Sequence, residues 1–331
     1  MTDQDSYGER SEVTCLLGET SVYGTLVRPV GPGPFPAVVM VVGSGPTDRD
    51  WNSPLLPGTN GSARLLAEAL AQAGIASLRY DKRASGPHVR ENMQALIGHF
   101  SMQSHVEELA GAVRTLASQE DVRSDRLFAL TNSEGALHAL NYQVHSPALP
   151  FAGLVLTGAP GRAVGVVARS QMAAQAAGVP NGEALLSLYD AAIARFLARE
   201  PVGPDPALPQ RFQMLLQALE TPANLPFARE LWTADAASLL RQVDVPTLVV
   251  IGKKDLQVDW QADGEKLQLA AAGREQVSFL FPENANHVLK QELRPRSELV
   301  PAEVTESYND PEAHLDLQAL AGILEWLEKT E

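Results

Sequence analysis

The stretch "RLFALTNSEGALHALNYQV", Arg126 to Val144, decides how the chain is read. "RLFALT" is a short apolar run, as expected of a strand buried on both faces. "ALHALNYQV" continues as a helix starting near Gly135. Between them "TNSEG", Thr131 to Gly135, reads almost as Gly-x-Ser-x-Gly, the pentapeptide that sets a serine nucleophile on a sharp strand-to-helix turn. Such a turn is strained and needs small neighbours. Gly135 meets that demand. Thr131, in place of the first glycine, can keep ordinary strand dihedrals if the neighbouring helix leaves room. Ser-x-Gly alone is a weak signal, and Ser133 alone reads equally as a helix N-cap.

The segments on either side extend the pattern. "EVTCLL" (Glu12 to Leu17) and "SVYGTLVRP" (Ser21 to Pro29) alternate as a hairpin would. "AVVMVV" (Ala37 to Val42), "IASLRY" (Ile75 to Tyr80), "AGLVLTG" (Ala152 to Gly158), "PTLVVIG" (Pro246 to Gly252) and "VSFLFP" (Val277 to Pro282) are further strands. Helices separate them. In the first, Leu65, Leu66, Ala69 and Leu70 share a face and Gly74 is the stop. The next opens on a capping-box pattern, Ser104 with Glu107. The chain ends in the helix "LDLQALAGILEWLEK". This order predicts an α/β fold, a doubly wound and mostly parallel eight-stranded sheet with helices on both faces. Residues 161–243 break the alternation: they carry helical patterns and prolines and no strand. They read as a helical lid inserted after the sixth strand, with 1–160 and 244–331 as the core.

A serine hydroxyl is a poor nucleophile without a base, and the base needs an orienting acid. In a doubly wound sheet such groups collect at the carboxyl ends of strands. After "PTLVVIG" comes Asp255. After "VSFLFP" comes "ENANHVLK", with His287. Ser133, Asp255 and His287 thus each follow a different strand, and the three together say more than any one. Asp259 and Asp263 compete with Asp255, which stands closest to its strand. His314 is the spare histidine at the start of the last helix. His88, His99, His105, His138 and His145 read as surface or packing residues, with His88 and His99 in a loop that could border a pocket.

Here the chain resembles the α/β-hydrolase superfamily, and the likeness covers nearly all of it. The order nucleophile, lid, acid, histidine matches. "VVGSGPTDRDWN" and "RYDKRASG" are similar to segments of a bacterial esterase branch related to dienelactone hydrolases and serine aminopeptidases. Thr131, Asn132 and Ala84 depart from that branch's usual glycine, histidine and glycine. The resemblance implies an oxyanion hole from the N–H groups of Glu134 and Ser44. Asp48, Arg49, Asp50, Asp81, Lys82 and Arg83 suggest an ion-pair network shaping that loop. Met214, Phe212, Phe227 and Trp232 in the lid are substrate-pocket candidates.

Composition excludes other classes. The net charge of −14 on 331 residues repels nucleic-acid phosphates and anionic membranes, and no dense basic patch offsets it. The polar, acidic start lacks a secretory pattern, so a cytoplasmic protein is expected. Cys15 is the single cysteine, and neither metal-binding nor nucleotide-binding motifs occur. The reading is therefore a carboxylesterase-type serine hydrolase acting on a small-molecule ester, with no cofactor and no metal. A homodimer is compatible with the sequence. The same triad would serve a peptidase, an amidase or an acyltransferase, and Thr131 with Asn132 leaves a non-catalytic binding protein of this fold as a further alternative.

Overall fold

The computed structural model describes residues 3–5, 7–145, 147–177, 179–203, 205–300, 303, 308–310 and 312–330. Its centre is one sheet. The strands are β1 (Asp3–Asp5), β2 (Gly8–Leu17), β3 (Thr20–Pro29), β4 (Phe35–Val41), β5 (Ala76–Tyr80), β6 (Val122–Asn132), β7 (Gly153–Thr157), β8 (Thr247–Val250) and β9 (Val277–Leu280). Their spatial order is β1-β2-β3-β5-β4-β6-β7-β8-β9. The eight strands expected from sequence are β2 to β9. The additional β1 pairs antiparallel with β2 at the edge, where backbone pairing needs no apolar face and so leaves no hydrophobic signature. Pairings from β1 through β3 to β5 are antiparallel, and those from β5 across to β9 are parallel.

Alternation along the strands divides the core in two. Val39 and Val41 of β4 pack on one face with α3 (Met102–Ala117), α4 (Gly135–Val144), α9 (Ala236–Leu240) and α10 (Ala262–Ala270). Val38 and Met40 pack on the other with α1 (Ser62–Gln72) and the C-terminal α11 (Leu317–Thr330). A short α2 (Val89–Leu96) precedes α3. The capping box of α3 is one turn earlier than its sequence suggested: Ser101 is the cap, and Ser104 is the partner at the third helical position. Serine serves as well as glutamate there because its hydroxyl reaches back to the Ser101 N–H, 3.1 Å away.

Crossovers from β4 run one way along the sheet, to β5, and those from β6 the other, to β7. β4 and β6 are neighbours, so the crevice past their carboxyl ends is the switch point at which ligands bind in open α/β sheets. Between β7 and β8 lie α5 (Val164–Ala176), α6 (Gly182–Leu197), α7 (Gln210–Glu220) and α8 (Phe227–Thr233). They share an apolar cluster of their own around Tyr189, Phe196, Phe212 and Trp232. The Phe227 N–H donates to the Phe100 carbonyl at 2.8 Å, and the Met102 N–H donates to Glu230 at 2.7 Å. These bonds fasten the helices over the switch point. α9 returns to the main core, where Ala236, Ala237 and Leu240 are buried.

Candidate active site

Ser133 closes β6 with φ 53°, a left-handed conformation that a residue with a side chain adopts only under constraint. Its N–H donates to the Thr157 carbonyl at 2.8 Å, and its own carbonyl accepts from Ala136 N–H at 3.0 Å. The chain therefore turns at once into α4. The turn fits because Gly135 has no side chain: a Cβ there would stand 2.5 Å from the Val41 carbonyl oxygen. Thr131 is fully buried without a positive φ, so the strand absorbs it. Its hydroxyl donates to the Val155 carbonyl at 3.3 Å.

Asp255 and His287 meet as the sequence suggested, with Asp255 Oδ2 and His287 Nδ1 2.7 Å apart and both side chains buried. The other carboxylate oxygen accepts the N–H groups of Gln257 and Val258, at 2.7 and 2.9 Å, which fixes the plane of the acid. The imidazole lies against Gly158, where a Cβ would come within 3.1 Å of the ring, and stacks on Tyr308. Asp259 and Asp263 are engaged elsewhere. Asp259 pairs with Arg296, and Asp263 accepts from the Gly161 N–H and the Arg162 guanidinium. His314 is exposed.

Two cavities meet at Ser133 and Ser44. The larger, about 340 Å³, is mainly apolar and runs beneath α5, α7 and α8, past Val167, Leu219, Phe227, Leu231 and Trp232. The smaller, about 150 Å³, is lined by Asn132, Trp51, Asn60, Gln257 and Tyr308, and His287 borders it. Phe227 and Trp232 thus reach the site. Met214 and Phe212 do not: Met214 points to solvent, and Phe212 is buried within the helical cluster. An apolar residue on an amphipathic helix can face the cavity, its sister helices or water, and spacing alone does not say which.

The residues at the two proposed oxyanion positions border these cavities. Ser44 lines both, and Glu134 lines the larger. Among the described residues no backbone carbonyl accepts the N–H of either. The loop after β4 is held from behind. Asp81 takes the Arg49 N–H at 2.8 Å and its guanidinium at 3.0 and 2.7 Å, Asp50 pairs with the buried Arg79, and Asp48 accepts the N–H groups of Asp50 and Asn52. Gly86, at φ 72°, comes so close to Asp81 that a Cβ there would touch the carboxylate.

Several contributors escaped the sequence reading. Asn132 Nδ2 donates to the His287 carbonyl at 3.0 Å, tying the histidine loop to the elbow. His105 and His138, read as surface or packing residues, are buried beside Glu134. Their rings are 4.2 Å apart, and His138 Nε2 lies 3.1 Å from Glu134 Oε1. The i, i+4 spacing of Glu134 and His138 was the available signal. Burial, followed by the nearby His105, pushes the His138 pKa down to about 4, so the neutral ring donates to the carboxylate. Burial opposes the charge on Glu134, yet the His138 hydrogen bond and the Lys82 cation outweigh it and hold the pKa down at about 2. Glu108 behaves alike: His105 and Arg83 overcome its burial and hold it at about 2.

No helix among the described residues is long and apolar enough to cross a membrane. A profile of the alpha/beta hydrolase family matches residues 38–300. Esterase EstD of Thermotoga maritima is 28% identical over 308 residues, covering 92% of this chain and 65% of that protein. The chain thus spans a little under two thirds of that relative's length. Proline iminopeptidase of Mycobacterium smegmatis superposes with a TM-score of 0.58 at 17% identity, covering 97% of this chain and 98% of that one. A dienelactone hydrolase of Anabaena variabilis gives a TM-score of 0.52 at 17% identity, covering 98% of both. At these identities the structural likeness is one of fold. With the profile spanning most of the sequence, and a parallel sheet that carries a serine elbow at its switch point, the chain belongs to the alpha/beta hydrolase family.

Proposed function

We propose that this protein is a serine esterase whose triad is Ser133, His287 and Asp255. One observation carries the reading: a serine held at positive φ on the switch point borders the same small cavity as an imidazole oriented by a buried carboxylate. Ser133 Oγ attacks the ester carbonyl while His287 Nε2 takes its proton. Asp255 holds the Nδ1–H and stabilises the imidazolium. The oxyanion is received by the N–H groups of Glu134 and Ser44. His287 then protonates the leaving alcohol, and water activated by the same ring releases the acyl group.

The two cavities give the substrate a direction. The leaving oxygen must lie beside His287, which borders only the smaller and more polar cavity, so the alcohol goes there. The acyl part then enters the larger apolar cavity, which favours uncharged acyl groups. Helices α5 to α8, within residues 161–243, serve as the lid over it. The name of the Thermotoga maritima relative, an esterase, supports the reading.

The test is hydrolysis of p-nitrophenyl acetate and butyrate by the wild type and Ser133→Ala, with fluorophosphonate labelling alongside. Turnover and single-site labelling, both lost in the variant, are expected. Activity or labelling that survives in Ser133→Ala would remove Ser133 as nucleophile. A folded wild type that does neither would favour the binding protein over the enzyme.

A further inference from the structure

Four cations, with Arg79, Lys82 and Arg83 buried and Arg49 partly so, stand near the oxyanion loop, and one is used differently from the rest. Arg49, Arg79 and Arg83 each pair with a carboxylate. Lys82, buried like Arg79 and Arg83, has no carboxylate within salt-bridge distance among the described residues. Its ammonium instead donates to two backbone carbonyls, Gly43 O at 2.6 Å and Gly45 O at 2.7 Å. These carbonyls flank Ser44.

We propose that Lys82 is a positioning residue for the oxyanion hole, its ammonium holding the carbonyls on both sides of Ser44 so that the Ser44 N–H faces the reacting carbonyl. This rests on the serine-esterase reading above. The argument is one of peptide geometry. The Gly43 carbonyl and the Ser44 N–H belong to a single planar trans unit, in which they point in opposite directions. Drawing the oxygen toward Lys82, on the buried side, turns the N–H toward the cavities that Ser44 borders. The second bond fixes the far side of Ser44. There the next residue is Pro46, which has no N–H to compete. Gly45 sits at φ 76°, so without a clamp this loop has backbone freedom to rotate the donor away.

The charge matters as well as the geometry. An ammonium on a carbonyl oxygen polarises the peptide and strengthens its N–H as a donor. Burial lowers the pKa of Lys82, while the negative charges of Glu134 and Glu108 work to keep it protonated. Glu134 also supplies the other donor, so one buried group of charges lies behind both halves of the oxyanion hole.

The experiment compares wild type, Lys82→Met and Lys82→Arg on p-nitrophenyl butyrate. It also measures the rate of Ser133 labelling by a fluorophosphonate and inhibition by an alkyl trifluoromethyl ketone, which adds the serine and places an oxyanion in the hole. Loss of one oxyanion donor costs on the order of 100-fold or more in kcat, so misdirecting one should cost about 10- to 100-fold. In Lys82→Met, kcat, labelling rate and ketone affinity are expected to fall together by that factor while KM holds. Lys82→Arg, which keeps the cation, should recover part of each. Wild-type kcat and ketone affinity in a folded Lys82→Met overturn the proposal, as does a loss of kcat with ketone affinity unchanged. If the Met variant does not fold, Lys82→Gln takes its place, being neutral and too short to reach both carbonyls, and full activity in it overturns the proposal equally. Ser133→Ala run in parallel separates the two levels. Activity surviving there removes the serine reading itself, whereas loss there beside a fully active Lys82→Met removes only the role of Lys82.

Discussion

Replacing Gly135 by alanine adds one methyl at the tightest point of the elbow. That methyl would stand 2.5 Å from the Val41 oxygen and 2.8 Å from the Val42 oxygen, inside the 3.0 Å that Cβ atoms essentially never cross. Both neighbours are backbone, at the end of the central β4 and the residue just after it, so no rotamer relieves the contact. The start of α4 must retreat from β4 by about half an ångström at least, given ordinary contact distances. Overpacking of this kind costs about 1–3 kcal/mol of stability. The displacement also carries Glu134 and Ser133, the two residues before the helix. A misplacement of 1 Å at a reacting group costs about 100-fold, so half of that should cost roughly tenfold in kcat. Gly135→Ala would be followed by thermal melting and by ester turnover normalised to sites titrated with a fluorophosphonate. A lower Tm together with a slower titrated site is expected. If the variant melts and turns over like the wild type, close approach is not what requires glycine there, and the account of the elbow fails.

Asp255→Asn keeps an oxygen for the Gln257 and Val258 N–H groups but presents an NH₂ to His287. That favours the imidazole tautomer unable to accept the serine proton, and kcat should fall by about 10⁴-fold with the fold retained by circular dichroism. Asn132→Ala removes the bond to the His287 carbonyl, with an expected loss of about 1 kcal/mol by denaturant melts and a several-fold drop in kcat. The fourth prediction concerns pH. The unfolded chain protonates His138 near 6.5, whereas the folded chain refuses the proton until about 4, so stability should fall as pH is lowered through that window, by roughly 3 kcal/mol. Glu108 and Glu134, held at about 2 in the fold, add a second loss as pH falls from 4.5 toward 2. Urea melts of wild type and His138→Asn at pH 7, 5.5 and 4.5 check the first step, which the variant should lack; stability rising toward pH 4.5 in the wild type would contradict it.

How far the sequence could be read depended on which atoms do the work. The parallel strands announced themselves because residues such as Val38 and Val39 are buried on both faces of the sheet, which leaves an unbroken apolar run. Ser133, Asp255 and His287 could be marked because the fold gathers functional groups past strand ends, and each lies there. β1 was hidden because its pairing uses backbone alone. Lys82 could be suspected of shaping the loop, but its partners are carbonyl oxygens, which every residue carries and no sequence displays. Met214 and Phe212 were misplaced because an amphipathic stripe fixes a face without saying what covers it. The pairing of His105 with His138 joins two helices 33 positions apart, and no local pattern links them.

The site draws on the ends of β4, β6, β8 and β9, from Ser44 to His287, so its parts are separated by most of the chain. Contacts between such distant segments carry the largest loop-closure entropy and govern the slow part of folding. The bond from Asn132 to the His287 carbonyl links β6 to the loop past β9, across the intervening β7 and β8. With the proposed triad, catalytic competence arrives only with the last strand. A chain released early, or one that stalls before β9 docks, would hold the serine turn without the proposed base and be chemically silent.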